Sequence, residues 1–188
     1  IILAGHSMGT RVAIDIASKI KNLHGLILVD GSRFSNYETY FDELSSFENS
    51  LNGQDYETIL RQMFSSMFFS PKYDHHKRRI VTRAINVPKN YSLTLRRNTI
   101  WYDSHCVENY LKALNTPILL LHSTKIDEQN GRVPIKNLDD IPYINFIKLW
   151  TENIRLKIFE ETGHYITIEK PEIVNKQISE WLENLKIH

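Results

Sequence analysis

Ser7 stands at the centre of the pentapeptide Gly5-His6-Ser7-Met8-Gly9, which has the form Gly-x-Ser-x-Gly. An apolar run over residues 1–4 precedes it, and apolar residues at helical spacing follow it. In a sharp turn between strand and helix, small residues on both sides of the serine let the two elements approach closely. The serine hydroxyl is then held out as a nucleophile. The backbone N–H of Met8 is expected at the helix amino terminus, where it can stabilise an oxyanion.

His164 is the candidate general base for this serine. It lies far downstream of Ser7, and the order serine, acid, histidine is the one that accompanies this type of turn. Asp30 and Asp127, each in a loop after a buried strand, are the candidate acids between them. His6 is expected to pack or to hydrogen bond, because neighbouring residues in such a turn point apart. These residue types predict acyl transfer, in which the serine attacks a carbonyl carbon and the histidine carries the proton.

The elements that must position these residues alternate between strands and helices. Residues 25–30 and 116–122 are continuous aliphatic runs, which are typical of strands covered on both faces. A shorter strand is predicted at 156–159, and Pro171 begins a final helix. This alternation predicts an α/β fold, with a mostly parallel sheet and helices on both faces. Chemistry in such sheets lies at the carboxyl ends of the strands, where all the candidate loops meet.

Residues 34–111 differ in composition and periodicity from the segments around them. Aromatic, methionine and charged residues mix there, and the periodicity is helical wherever it is clear. We therefore predict three parts: a core part at 1–33 with the nucleophile strand, a helical cap at 34–111, and a core part at 112–188 with the acid and histidine loops and a closing helix. Apolar cap residues such as Met67 and Phe68 either line a pocket or form the core of the cap.

Together these segments resemble the carboxyl-terminal two thirds of an α/β-hydrolase fold protein. The resemblance rests on the pentapeptide around Ser7, on the two aliphatic strands, and on Gly163-His164-Tyr165 followed by Glu169-Lys170-Pro171-Glu172-Ile173-Val174. It implies a triad of Ser7, His164 and an aspartate. The family usually supplies the acid after its seventh strand, which favours Asp127, although that loop is one residue longer here. Asp30, at the end of the sixth strand, is the alternative acid.

The resemblance implies a serine hydrolase that cleaves an ester-type bond in a small molecule through an acyl-enzyme. It implies no cofactor and no metal, and the expected substrate carries an apolar acyl or aromatic group. Two alternatives stay open: a non-catalytic ligand-binding protein of the same fold, and a hydrolase of carbon–carbon bonds or thioesters.

Composition narrows the range of partners. The 23 basic and 22 acidic residues give a formal net charge of +1, which provides no overall electrostatic case for binding nucleic acid. Cys106 is the only cysteine, so an internal disulfide and a cysteine-based zinc cluster are excluded. A single thiol is compatible with a reducing compartment, and we expect a cytoplasmic location. No apolar run approaches the length of about 18 residues that a membrane span requires.

The sequence opens inside a predicted core strand and lacks an initiator Met. Because the ends of domains tend to lie at the surface, we expect it to be truncated at its amino terminus. The second oxyanion donor is then expected in a loop before residue 1. Losing one such donor typically costs about a hundred- to a thousand-fold in turnover. We therefore expect the 188-residue chain alone to be poorly soluble and close to inactive.

Overall fold

The computed structural model describes residues 1–51, 55–127, 131–136 and 141–185. Within these residues the chain forms six strands and nine α-helices, in the order β1 (Ile2–His6), α1 (Gly9–Ala17), β2 (Gly25–Val29), α2 (Tyr40–Ser50), α3 (Tyr56–Ser65), α4 (Asp74–Ile85), α5 (Lys89–His105), α6 (Val107–Lys112), β3 (Ile118–His122), β4 (Thr124–Ile126), β5 (Arg132–Pro134), α7 (Pro142–Lys148), β6 (Ile154–Ile158), α8 (Ile166–Glu169) and α9 (Pro171–Asn184).

Four of the strands form one parallel sheet in the order β1-β2-β3-β6. Because all four run in the same direction, their carboxyl ends lie along one edge, and the loops that follow them meet there. The predicted α/β fold with a mostly parallel sheet is confirmed.

The core lies on both faces of the central strands β2 and β3. Side chains alternate between the faces along each strand, so Leu26 and Leu28 pack toward α1 and α7, whereas Ile27 and Val29 pack toward α8 and α9. Trp181 of α9 closes the second face. Every residue of β2 and β3 is buried, which explains why these strands are aliphatic throughout.

Helices α2 to α6 all lie between β2 and β3, and we call α2 to α5 the helical insertion. The insertion of helices between two core strands agrees with the predicted fold class. The domain boundaries after residues 33 and 111 stay predictions.

The segment after β3, where a loop was expected to carry Asp127, contains a further element. The short strands β4 and β5 form an antiparallel pair, with Thr124 opposite Pro134 and Ile126 opposite Arg132. This pair carries Arg132 back toward the end of β2. Within the described residues, no helix is both long enough and apolar enough to cross a membrane.

Candidate active site

Ser7 lies in the sharp turn that joins β1 to α1. Its φ of 57° is in the left-handed region, where residues other than glycine are strained. The Ser7 N–H donates to the Val29 carbonyl at 2.9 Å, and the Thr10 hydroxyl donates to the Ser7 carbonyl at 2.7 Å. A side chain at Gly5 would collide with the Gly9 carbonyl, so the close approach of strand and helix requires glycine there.

Met8 is the residue immediately before α1. Its N–H therefore belongs to the group of amides at the helix amino terminus that have no partner within the helix. These amides carry the positive end of the helix dipole, which favours a negative charge beside Ser7. This placement fits the oxyanion-stabilising role expected from the sequence.

His164 and Asp30 are joined directly at the carboxyl edge of the sheet. His164 Nδ1 donates to Asp30 Oδ2 at 2.7 Å, since an ionised carboxylate can only accept. Both side chains are buried, with exposed fractions of 1% and 0%. Asp30 follows β2 with a φ of 44°, a second strained residue at this edge. The hydrogen bond leaves His164 Nε2 as the ring nitrogen that can take up a proton.

The Asp30 carboxylate is also held by donors from the start of the β4–β5 pair. Its Oδ1 accepts from the backbone N–H groups of Ser123 at 2.7 Å and Thr124 at 2.9 Å. Its Oδ2 accepts from the Thr124 hydroxyl at 2.6 Å and from Arg132 Nη1 at 3.1 Å, in addition to His164. Such a set of donors fixes both the position and the charge of the carboxylate.

The electrostatics of the site follow from burial and from these contacts. Burial alone would raise the pKa of Asp30, but the hydrogen bond from His164 and the attraction of His122 and Arg132 hold it far below its usual range. Burial lowers the pKa of His164 to about 3, and the Arg132 charge acts in the same direction against the opposing effect of Asp30. The imidazole is therefore neutral near neutral pH, as a general base must be.

His6 links the serine turn to the histidine loop. His6 Nε2 donates to the His164 carbonyl at 3.0 Å, and the centres of the two rings are 4.5 Å apart. This agrees with the packing and hydrogen-bonding role expected for His6. Because His6 directly precedes Ser7, the contact places the serine turn beside the loop of the candidate base.

Of the two candidate acids, the structure brings Asp30 and not Asp127 to His164. Asp127 follows β4 within the loop that joins β4 to β5, where its Oδ1 accepts from the Gly131 N–H at 2.7 Å. Its own N–H donates to the Gly131 carbonyl at 3.0 Å. The pairing of β4 with β5 carries Asp127 away from the end of β3, while Asp30 lies at the end of the adjacent central strand. The sequence expectation that favoured Asp127 therefore does not describe this geometry.

The helical insertion contributes contacts to the histidine loop. The Met67 carbonyl accepts from the His164 N–H at 2.9 Å, and the Phe68 ring stacks on Tyr165 with their centres 4.8 Å apart. A side chain at Gly163 would come within 2.7 Å of the same Met67 carbonyl, so this close approach requires glycine. Ser66 directly precedes Met67, and its Oγ accepts from the Arg132 N–H at 3.3 Å. One turn of the insertion therefore contacts both the base and the hairpin that holds the acid.

The apolar residues of the insertion lie in different environments. Met67 and Phe68 are buried against the histidine loop, whereas Phe41 and Tyr91 are exposed. Neither a uniform pocket lining nor a single cap core describes the whole set.

A cavity of about 350 Å³ lies beside the acid rather than over the serine. Its lining comes from the residues that follow β2, from β4 and from α7, and it includes His122, Thr124 and Tyr143. Thr124 donates to Asp30, and His122 Nδ1 lies 3.4 Å from Asp30 Oδ1. A ligand in this cavity would therefore contact side chains, such as those of His122 and Thr124, that lie directly beside the Asp30 carboxylate.

Sequence reasoning missed the residues that surround the acid. The pair Ser123-Thr124 directly after an aliphatic strand was a usable signal, because hydroxyl and backbone donors at a strand end can bind a carboxylate. Arg132 had no such signal, since its approach to Asp30 depends on the pairing of β4 with β5.

Comparison with known proteins rests on structure alone, because neither protein-family models nor curated protein sequences match this chain. An esterase from Exiguobacterium antarcticum is similar with a TM-score of 0.72 at 16% identity, over 97% of this chain and 66% of that one. A hydrolase from Oleispira antarctica gives 0.69 at 12%, over 97% and 65%. A meta-cleavage product hydrolase gives 0.63 at 15%, over 97% and 64%. The chain thus spans about two thirds of the length of each of these proteins, and at these identities the similarity concerns the fold.

Proposed function

The chain has the α/β-hydrolase fold, and on that basis we propose that it is a serine hydrolase with Ser7, His164 and Asp30 as its triad. The observation that carries the proposal is the buried 2.7 Å hydrogen bond from His164 Nδ1 to Asp30 Oδ2. It lies at the same sheet edge as the strained turn of Ser7. A neutral histidine with one nitrogen bound to an ionised acid and the other free is the arrangement that activates a serine.

The proposed reaction is acyl transfer in two halves. Ser7 Oγ attacks the carbonyl carbon of the substrate while His164 Nε2 takes the serine proton, and the Met8 N–H stabilises the oxyanion. His164 then gives the proton to the leaving group, and the C–O bond to that group breaks. Asp30 stabilises the imidazolium throughout without becoming protonated. Water repeats the cycle on the acyl-enzyme and frees Ser7 and the acid product.

The proposed substrate is a small molecule with an ester-type bond and an apolar acyl or aromatic group. Two considerations support this class: structural neighbours include esterases, and Phe68 and Tyr165 place stacked aromatic rings next to His164. Hydrolysis of a carbon–carbon bond or a thioester is the alternative, because a meta-cleavage product hydrolase has the same fold. All of these reactions use the same serine, so the first experiment concerns Ser7.

The decisive experiment is labelling of the full-length protein with a fluorophosphonate probe, followed by hydrolysis of p-nitrophenyl acetate and butyrate. We expect Ser7→Ala to abolish labelling and to lower turnover by about a million-fold. Ser18→Ala is the matched control, because Ser18 ends α1 and bonds only locally to the Asp15 carbonyl among its described contacts. Labelling that survives in Ser7→Ala, or an unlabelled wild-type protein, would overturn the proposal. Ligand-induced thermal stabilisation without any product would instead indicate a binding protein.

A further inference from the structure

Arg132 brings a buried positive charge to the candidate acid. Only 6% of the residue is exposed. Its Nη1 donates to Thr124 Oγ1 at 2.6 Å and to Asp30 Oδ2 at 3.1 Å, and its Nη2 donates to Ser32 Oγ at 3.4 Å. The guanidinium therefore lies at the same carboxylate oxygen that accepts from His164.

Hydrogen-bond satisfaction alone does not require this arginine. Two backbone N–H groups already bind Asp30 Oδ1, and the Thr124 hydroxyl and His164 bind Oδ2. Burying a guanidinium is costly, and a buried ion pair is weak evidence for a gain in stability. The cost is explained if the charge and the rigid fork of Arg132 act on the Asp30–His164 pair itself.

We propose that Arg132 is a positioning residue of the triad, which fixes Asp30 Oδ2 against His164 and sets the pH range in which His164 is an unprotonated base. The inference rests on the proposed function. A positive charge behind the carboxylate disfavours a second positive charge on the imidazole, so His164 stays neutral further into acid than it would beside Asp30 alone. The expected consequence is a hydrolase that keeps its activity in mildly acidic solution.

Charged and titratable groups face His164 from several elements, and each must be considered. The attraction of Asp30 favours the protonated ring, whereas burial and Arg132 disfavour it, and His6 acts in the same direction as Arg132. Tyr165 contacts the ring edge-on, and His122 faces Asp30 from β3. Arg132 is the only permanent positive charge among these described neighbours, which makes it the residue to change.

The experiment compares Arg132→Gln with Arg11→Gln in the full-length protein. Arg11 is a matched control, because it is also 6% exposed and also pairs with a buried aspartate, Asp103, outside the triad. Two quantities are measured: the pH titration of the His164 ring by NMR, assigned with His164→Gln, and the pH profile of kcat/KM. Thermal unfolding of each variant checks that it is folded.

In Arg132→Gln we expect the pKa of His164 to rise by about one unit or more, with the acid limb of kcat/KM moving to higher pH by the same amount. In Arg11→Gln both should stay at their wild-type positions. A His164 titration that is unchanged in Arg132→Gln, or one that moves equally in both variants, would overturn the inference. A uniform loss of kcat at every pH would also contradict it, because that is the result of a purely structural role.

Arg132→Lys keeps the inference testable if Arg132→Gln does not fold. Lysine retains the charge and loses the fork, so we expect kcat to fall while the acid limb stays near its wild-type position. An acid limb that moves as far as expected for glutamine would contradict the role of the charge. The NMR titration requires no turnover. A shifted titration in a protein without Ser7-dependent hydrolysis would thus contradict the proposed function and leave the coupling of Arg132 to His164 intact.

Discussion

Two arginine–aspartate pairs are buried among the described residues, and they differ in what else the carboxylate binds. Arg11 binds Asp103 through two hydrogen bonds of 2.7 Å, one to each carboxylate oxygen, and its Nη2 also donates to the Ser32 carbonyl at 2.6 Å. Asp103 further accepts from the Phe34 N–H at 2.8 Å. This pair ties α1 to α5 of the helical insertion.

Arg132 binds Asp30 differently, through one nitrogen at 3.1 Å to an oxygen that is shared with Thr124 and His164. The Asp103 carboxylate binds its arginine and a backbone N–H. The Asp30 carboxylate also binds His164, a side chain that can change its protonation state. Both aspartates are buried and both pair with a buried arginine, so neither property distinguishes the two sites. The difference is that Asp30 has a titratable third partner, His164.

The largest expected difference between the pairs is in turnover. Asp30→Asn should lower kcat by about ten-thousand-fold, because an amide neither stabilises the imidazolium nor selects the required tautomer. Asp103→Asn should leave kcat per folded molecule within a few-fold of wild type. The measurement is kcat on samples whose folded fraction is known. Asp127→Asn belongs in the same series, and a loss there greater than in Asp30→Asn would restore Asp127 as the acid.

A large loss of stability is expected in Asp103→Ala. Removing this carboxylate leaves the Arg11 guanidinium buried and uncompensated, which typically costs about 3–5 kcal/mol. Urea denaturation of the variant measures the free energy of unfolding. Asp127→Ala, in an ordinary loop position, is the comparison and should cost much less. If Asp103→Ala unfolded at the wild-type midpoint, the pair would not connect the insertion to the core.

A smaller effect is expected in mild acid, where the site of His164 should lower the free energy of unfolding. The pKa of His164 is lowered by burial to about 3, so between that value and 6.5 the unfolded chain binds a proton that the folded protein does not. Stability is therefore full above this window and falls as the pH falls through it. His164 alone should account for about 2 kcal/mol of loss near pH 5.

Urea denaturation at several pH values tests this expectation. In His164→Gln the loss of stability on acidification should be about 2 kcal/mol smaller than in wild type. His75→Gln is the control, since His75 is exposed on α4, and it should keep the wild-type dependence. Equal pH dependence in all three proteins would mean that His164 is not held neutral in the folded state.

Local patterns in the sequence predicted part of this site and could not predict the rest. Ser7 and His164 were found because a short motif and a chain order mark them. Which aspartate reaches His164 depends on which of two loops approaches the histidine, and the pairing of β4 with β5 is a contact that local patterns do not reveal. Arg11 and Arg132 were missed because charged residues are ordinarily exposed. Each is buried here with an aspartate partner that lies about a hundred residues away in the chain.

The contact of residues 66 and 67 with the site limits how this protein can be redesigned. The Met67 carbonyl holds the His164 N–H and Ser66 Oγ holds the Arg132 N–H, so one turn of the helical insertion braces the base and the hairpin behind the acid. A chimera that exchanges the helical insertion for one from another protein of this fold must retain this turn. Graft boundaries that leave residues 66 and 67 in place keep both contacts, while boundaries that remove them lose the hydrogen bonds to the N–H groups of His164 and Arg132.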